Sequence, residues 1–148
     1  MSAPEPLLIT FMVPGVPVAK GRARATTRGG VARMYTPAKT RAYEDLIRCS
    51  AARAMGERRP VEGPVVVTVT AFLGMPKSMS KVKRSMALDG LIKPVTRPDA
   101  DNYAKAALDG CNAILFKDDS QIADLIVRKR YSETPRLVIT MEIEGDDQ

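Results

Sequence analysis

The chain has 148 residues, 45% of them hydrophobic, and a formal net charge of +6, which one domain of ordinary globular composition accounts for. Without a single histidine, chemistry built on a histidine base or on histidine metal ligands is excluded, and two cysteines, Cys49 and Cys111, cannot supply a four-thiolate site. The longest apolar stretches, Leu7–Met12 and Val65–Leu73, fall far short of the ~20 residues that cross a bilayer, so a soluble cytoplasmic protein with reduced thiols is expected.

Leu7–Met12, closed by Val13, Pro14 and Gly15, reads as a strand buried on both faces. From Pro17 to Met34 glycines alternate with arginines in no periodic pattern, which predicts a hairpin or loop. Thr36 as N-cap and Pro37 at the first helical position then open a helix, with Tyr43, Leu46, Ile47, Ser50 and Ala54 at helical spacing up to Gly56. Val65–Leu73 alternates as a central strand. Ser78 or Ser80 caps a short basic helix that runs through Ala87 and stops at Gly90.

After Asp101 a clearer helix sets Ala104, Ala107, Leu108, Cys111 and Leu115 on an apolar stripe, with Asn102, Lys105, Asp109 and Asn112 opposite. Phe116–Gln121 is a turn. Ala123–Tyr131 and Arg136–Glu144 alternate as two strands, joined by Ser132–Pro135 as a hairpin. This order predicts a single α+β domain over residues 1–148, a small mixed or antiparallel sheet with helices packed on it. Pattern alone does not fix the strand order.

The charge is arranged in blocks. Between Pro17 and Arg41 lie Lys20, Arg22, Arg24, Arg28, Arg33, Lys39 and Arg41 without one acid, and between Lys77 and Arg97 six cations face only Asp89. From Asp99 onward eleven carboxylates outnumber six cations. Cations that neutralise a polyanion, beside carboxylates that hold a divalent ion, are what phosphodiester cleavage needs. A solvated surface with an acidic tail is the plainer alternative.

The segment Arg97-Pro-Asp-Ala-Asp-Asn-Tyr-Ala-Lys105, then Asp109, then Lys117-Asp-Asp-Ser-Gln121 concentrates the candidate chemistry. In an extended stretch residues two apart face the same way, so Asp99 and Asp101 can converge on one cation before the helix begins. Mg²⁺ takes one or two carboxylates plus waters and phosphate oxygens, and Asp119, with Asp118 as the alternative, is the natural third acid. Lys105, four residues past Asp101, could reach the same phosphate or orient a water. Each residue also has a structural role available: Asp101 as N-cap, Lys105 as its i+4 partner, Asp118 and Asp119 as turn formers.

Together, Arg-Pro-Asp-Ala-Asp-Asn-x-x-Lys-x-x-x-Asp followed by Lys-Asp-Asp-Ser-Gln-Ile resembles the RusA family of Holliday-junction resolvases, commonly phage or prophage encoded. The N-terminal Val-Pro-Val-Ala-Lys-Gly-Arg-Ala-Arg and Met-Tyr-Thr-Pro-Ala-Lys-Thr extend the likeness over nearly the whole chain. The resemblance implies a Mg²⁺-dependent homodimeric endodeoxyribonuclease that cuts two strands of a four-way junction symmetrically in recombination and repair. It implies a metal held by Asp99, Asp101 and Asp119, with Lys105 as the fourth catalytic residue. Lys20, Arg22, Arg24, Arg28, Lys81, Lys83, Arg84, Lys93 and Arg97 are the candidate phosphate contacts, and the region of the first helix is the expected dimer face. A branched-DNA binder without cleavage, and a metal nuclease for another DNA structure, are the alternatives.

Overall fold

The computed structural model describes residues 7–21, 24–30 and 33–143. Its central sheet is organised by β4 (Val65–Leu73), whose alternating Val65, Val67, Val69 and Ala71 point into the core. β4 lies between β6 (Arg136–Ile143), antiparallel to it, and β5 (Ile122–Tyr131), parallel to it. β1 (Leu8–Pro14) pairs antiparallel with the far side of β6, giving the order β1-β6-β4-β5. A separate two-stranded hairpin, β2 (Arg24–Thr26) with β3 (Arg33–Tyr35), fulfils the hairpin expectation for the glycine-arginine segment.

The expected hairpin of β5 with β6 does not form, because β4 stands between them. Ser132–Pro135 instead carries the chain past the end of β4, where Ser132 N donates to Leu73 O (2.9 Å). Alternation identifies a strand but not its neighbour. A physical signal was available: Leu137, Ile139 and Met141 are fully buried, as an inner strand requires, whereas β5 carries Asp124, Arg128, Lys129 and Arg130 in the manner of an edge. β1 likewise differs from expectation. Ile9 and Val13 are buried while Leu8, Thr10, Met12 and Pro14 are exposed, so only one of its faces is covered.

α1 (Ala38–Met55) and α3 (Ala100–Cys111) pack against each other and on the same face of the sheet. Pro37 occupies the N-cap position of α1 in place of Thr36, and the buried stripe is Thr40, Tyr43, Ile47, Ala51 and Met55, with Leu46 turned outward. Burying an Ile47- or Met55-sized side chain contributes about 1.5–3 kcal/mol. The two helices approach closely at Gly110, where a Cβ would stand 2.6 Å from Ile47 Cγ2 and 3.0 Å from the Glu44 carbonyl oxygen. α2 (Lys81–Leu88) is capped by Ser80, whose hydroxyl accepts from Lys83 N (3.2 Å), and it buries only Ala87.

Candidate active site

α3 begins earlier than its apolar pattern suggests. Asp99 holds the N-cap position in extended conformation and Asp101 lies in the first helical turn. The two acids therefore flank a helix start rather than lying along an extended strand, so the extended i,i+2 geometry expected of them does not hold, and neither makes a side-chain capping hydrogen bond or an ion pair among the described residues. The positive end of the helix dipole favours acids there, and Lys105 follows Asp101 at i+4, about 40° round the same exposed face.

A cleft of about 790 Å³ opens beside this pair, lined by Val16–Gly21, by Pro37, Lys39 and Thr40 at the start of α1, and by Pro98, Asn102 and Tyr103. Its wall is pinned twice: Lys20 N donates to Asn102 O (2.9 Å), and Gly21 N donates to Thr40 Oγ1 (3.1 Å). A Cβ at Gly21 would meet that oxygen at 3.0 Å and Pro37 Cγ at 3.3 Å, tight enough that these neighbours would have to give by a few tenths of an ångström.

Lys20, an expected phosphate contact, is engaged elsewhere. Its ammonium bridges Glu44 Oε1 (2.5 Å) and Asp109 Oδ2 (2.8 Å), tying the segment after β1 to α1 and α3. Burial alone would lower its pKa, but the hydrogen bonds it donates to Asp109 and Glu44, with their negative charges, outweigh that and raise it above the ordinary lysine value. Its charge is neutralised within the chain. Glu44 escaped sequence reasoning because nothing local marks a helix glutamate as the partner of a lysine 24 positions earlier.

The remaining candidates divide by position. Arg22 lies outside the described residues, as do the side chains of Arg24 and Arg28. Lys81, Lys83, Lys93 and Arg97 are exposed on the segment leading into Asp99, and Arg84, half-buried, donates to Pro76 O (3.3 Å). That segment is fastened to the sheet by Lys129 Nζ, which donates to Thr96 O (2.6 Å).

Asp118 and Asp119 differ sharply. Asp118 caps the 3₁₀ turn Asp119–Gln121: its carboxylate accepts from Ser120 N (3.2 Å), while Gln121 Oε1 accepts from Asp118 N (2.9 Å), and hydrogen bonding from the Ser120 side chain, then from its backbone, lowers the Asp118 pKa. Asp119 is exposed and has no such partner among the described residues. It stands, however, beyond the C-terminal end of α3, next to Val61 and Gly63, whose carbonyls accept from Gln121 Nε2. A 12-residue helix is about 18 Å long, so one chain sets Asp119 at the opposite end of α3 from Asp99 and Asp101. Accordingly, no three acidic or thiol side chains form a metal-sized group among the described residues. The adjacent pair does suit a hard cation that takes one or two carboxylates and fills its shell with water.

The model of the RusA endodeoxyribonuclease family matches residues 14–142, which include the helices, the acid pair and Asp119. The chain belongs to the RusA family. It is also 42% identical over 136 residues to an uncharacterized Bacillus subtilis protein, YqaN, covering 88% of this chain and 93% of that one. As a RusA-family protein it is of an endodeoxyribonuclease type, and its architecture, a single α+β domain with three helices and a mixed four-stranded sheet, is the one expected of it. No helix among the described residues is long and apolar enough to cross a membrane.

Proposed function

We infer that this RusA-family chain is a Mg²⁺-dependent resolvase that hydrolyses phosphodiesters at four-way DNA junctions, acting in the cytoplasm as a homodimer in recombination or repair. The observation that carries this reading is the exposed, unpaired Asp99–Asp101 pair at the start of α3, with Lys105 one turn on and a cation-rich segment leading into it.

Asp99 and Asp101 would hold the metal, and Asp119 would complete its carboxylate set. Bound Mg²⁺ supplies Lewis acidity and activation of water at neutral pH. Lys105 stabilises charge that builds on the phosphate oxygens or orients the attacking water, a role usually worth a few kcal/mol of barrier. Lys81, Lys83, Lys93 and Arg97 neutralise the flanking backbone. Because Asp119 lies a helix length away in its own chain, a second copy is the natural source of the third acid. A two-fold dimer also matches the near two-fold symmetry of a junction and presents two equivalent sites to opposed strands.

The test compares labelled four-way junction, linear duplex, flap and single strand, each with Mg²⁺ or EDTA. Paired, Mg²⁺-dependent nicks on the junction are expected. Binding without cutting would make the chain a junction-binding module, and preference for the flap or single strand would reassign the substrate.

A further inference from the structure

The longest strand of the sheet is also one of its two edges. β5 has ten residues and pairs with β4 on one side, and no backbone hydrogen bond reaches its other side among the described residues. Proteins usually blunt such an edge by shortening it, or with proline, a bulge or charged side chains, and β5 carries the last of these in Asp124, Arg128, Lys129 and Arg130. β1, the opposite edge, is seven residues long and ends in Pro14. β5 has no proline, its register shift is confined to Ala123 at the start, and its middle exposes Leu125 (43%) and Ile126 (40%) on opposite faces. By contrast, Leu46 is the only large apolar side chain that α1 exposes among the described residues, so the first helix is a poorer candidate for the dimer face.

The charge along β5 is self-complementary in one direction only. Asp124 precedes the apolar Leu125-Ile-Val127, and Arg128, Lys129 and Arg130 follow it. Two copies laid antiparallel about a two-fold axis through that apolar centre set each acid against the other's cations, whereas parallel strands would align like with like.

We propose that two copies of this chain pair antiparallel through their β5 edges, forming one continuous sheet with α1 and α3 of both copies on the same face. The proposal rests on the homodimer reading above and names its surface. The axis stands perpendicular to the sheet, so this helix layer stays on one side in both chains. Thr96, just before α3, is held by Lys129 near the end of β5, whereas Asp119 adjoins the start of β5, so the axis also brings the Asp119 end of one chain toward the Asp99–Asp101 end of the other.

The mass of the full chain across a concentration series, by sedimentation equilibrium, tests this. The wild type should be dimeric, and Ile126→Lys, at an exposed position, should raise the dimer Kd by about a hundredfold with an unchanged circular dichroism spectrum. Asp124→Arg and Arg128→Asp should each weaken the dimer by about tenfold, and the double variant should recover most of the loss. That recovery excludes misfolding as the cause. A dimer insensitive to Ile126→Lys, or no recovery in the double variant, overturns the edge assignment and leaves the homodimer standing. A monomeric wild type overturns both.

Discussion

A carboxylate at the start of a helix favours the helix whether or not it also holds a metal, so substitution must separate the two roles. Asp99→Asn and Asp101→Asn should each lower junction cleavage by about a thousandfold, change stability by about 1 kcal/mol or less, and leave junction binding in EDTA unaltered or tighter, since each removes a charge that repels phosphate. Cleavage rates, gel-shift titrations and thermal melts check the three parts, and undiminished turnover in either variant would remove the metal assignment. Lys20 makes a different demand. Its partners Glu44 and Asp109 would be left without a counter-ion in Lys20→Met, at a cost of about 1–3 kcal/mol. A raised folded pKa means this contribution is fully present below the ordinary lysine value of 10.5 and is lost as pH rises through the folded value. Urea denaturation of wild type and variant should therefore differ at neutral pH and converge under strongly alkaline conditions; a gap that persists there would show that packing of the stem, not the ion bridge, sets the difference.

The close packing of α1 on α3 depends on the absence of a side chain at Gly110. Alanine is the better helix former by about 1 kcal/mol, yet its Cβ would meet both the branched Ile47 side chain and the Glu44 backbone oxygen, which cannot rotate away. Gly110→Ala should therefore destabilise the protein by about 1–3 kcal/mol, and a melting temperature at or above wild type would mean that the helices can separate freely. α2 is the opposite case, an element with one buried residue and outward cations. Replacing Lys81, Lys83 and Arg84 with alanine should barely change stability but should flatten the dependence of log K on log salt for junction binding, by roughly 0.9 for each phosphate that is no longer neutralised. An unchanged slope would place α2 away from the DNA.

Across the whole molecule, the separation of Asp119 from the acid pair leads to a mixing experiment. The Asp99→Asn chain and the Asp119→Asn chain, each inactive alone, should regain nicking when refolded together, because half of the sites in a mixed dimer would then combine an intact pair with an intact Asp119. With random pairing, about a quarter of wild-type sites would return. Failure to recover any, despite confirmed mixed dimers, would return Asp119 to its own chain's site or remove it altogether.

Local chemistry in the sequence determined the elements and much of the site. Alternation marks β4 residue for residue, Ser80 and Gly90 bound α2, and the crowding of Asp99, Asp101 and Lys105 within seven residues survives folding because one helix start carries all three. Tertiary structure alone decided which strands touch, since period-two alternation says which face a residue takes but not what lies beside it. It also decided that Lys20 is bound internally, because Glu44 and Asp109 become its neighbours only when two helices cross beside it. The distance from Asp119 to the acid pair is of the same kind: the sequence between them could form a tight turn or a full helix length, and the rigid α3 makes it the latter.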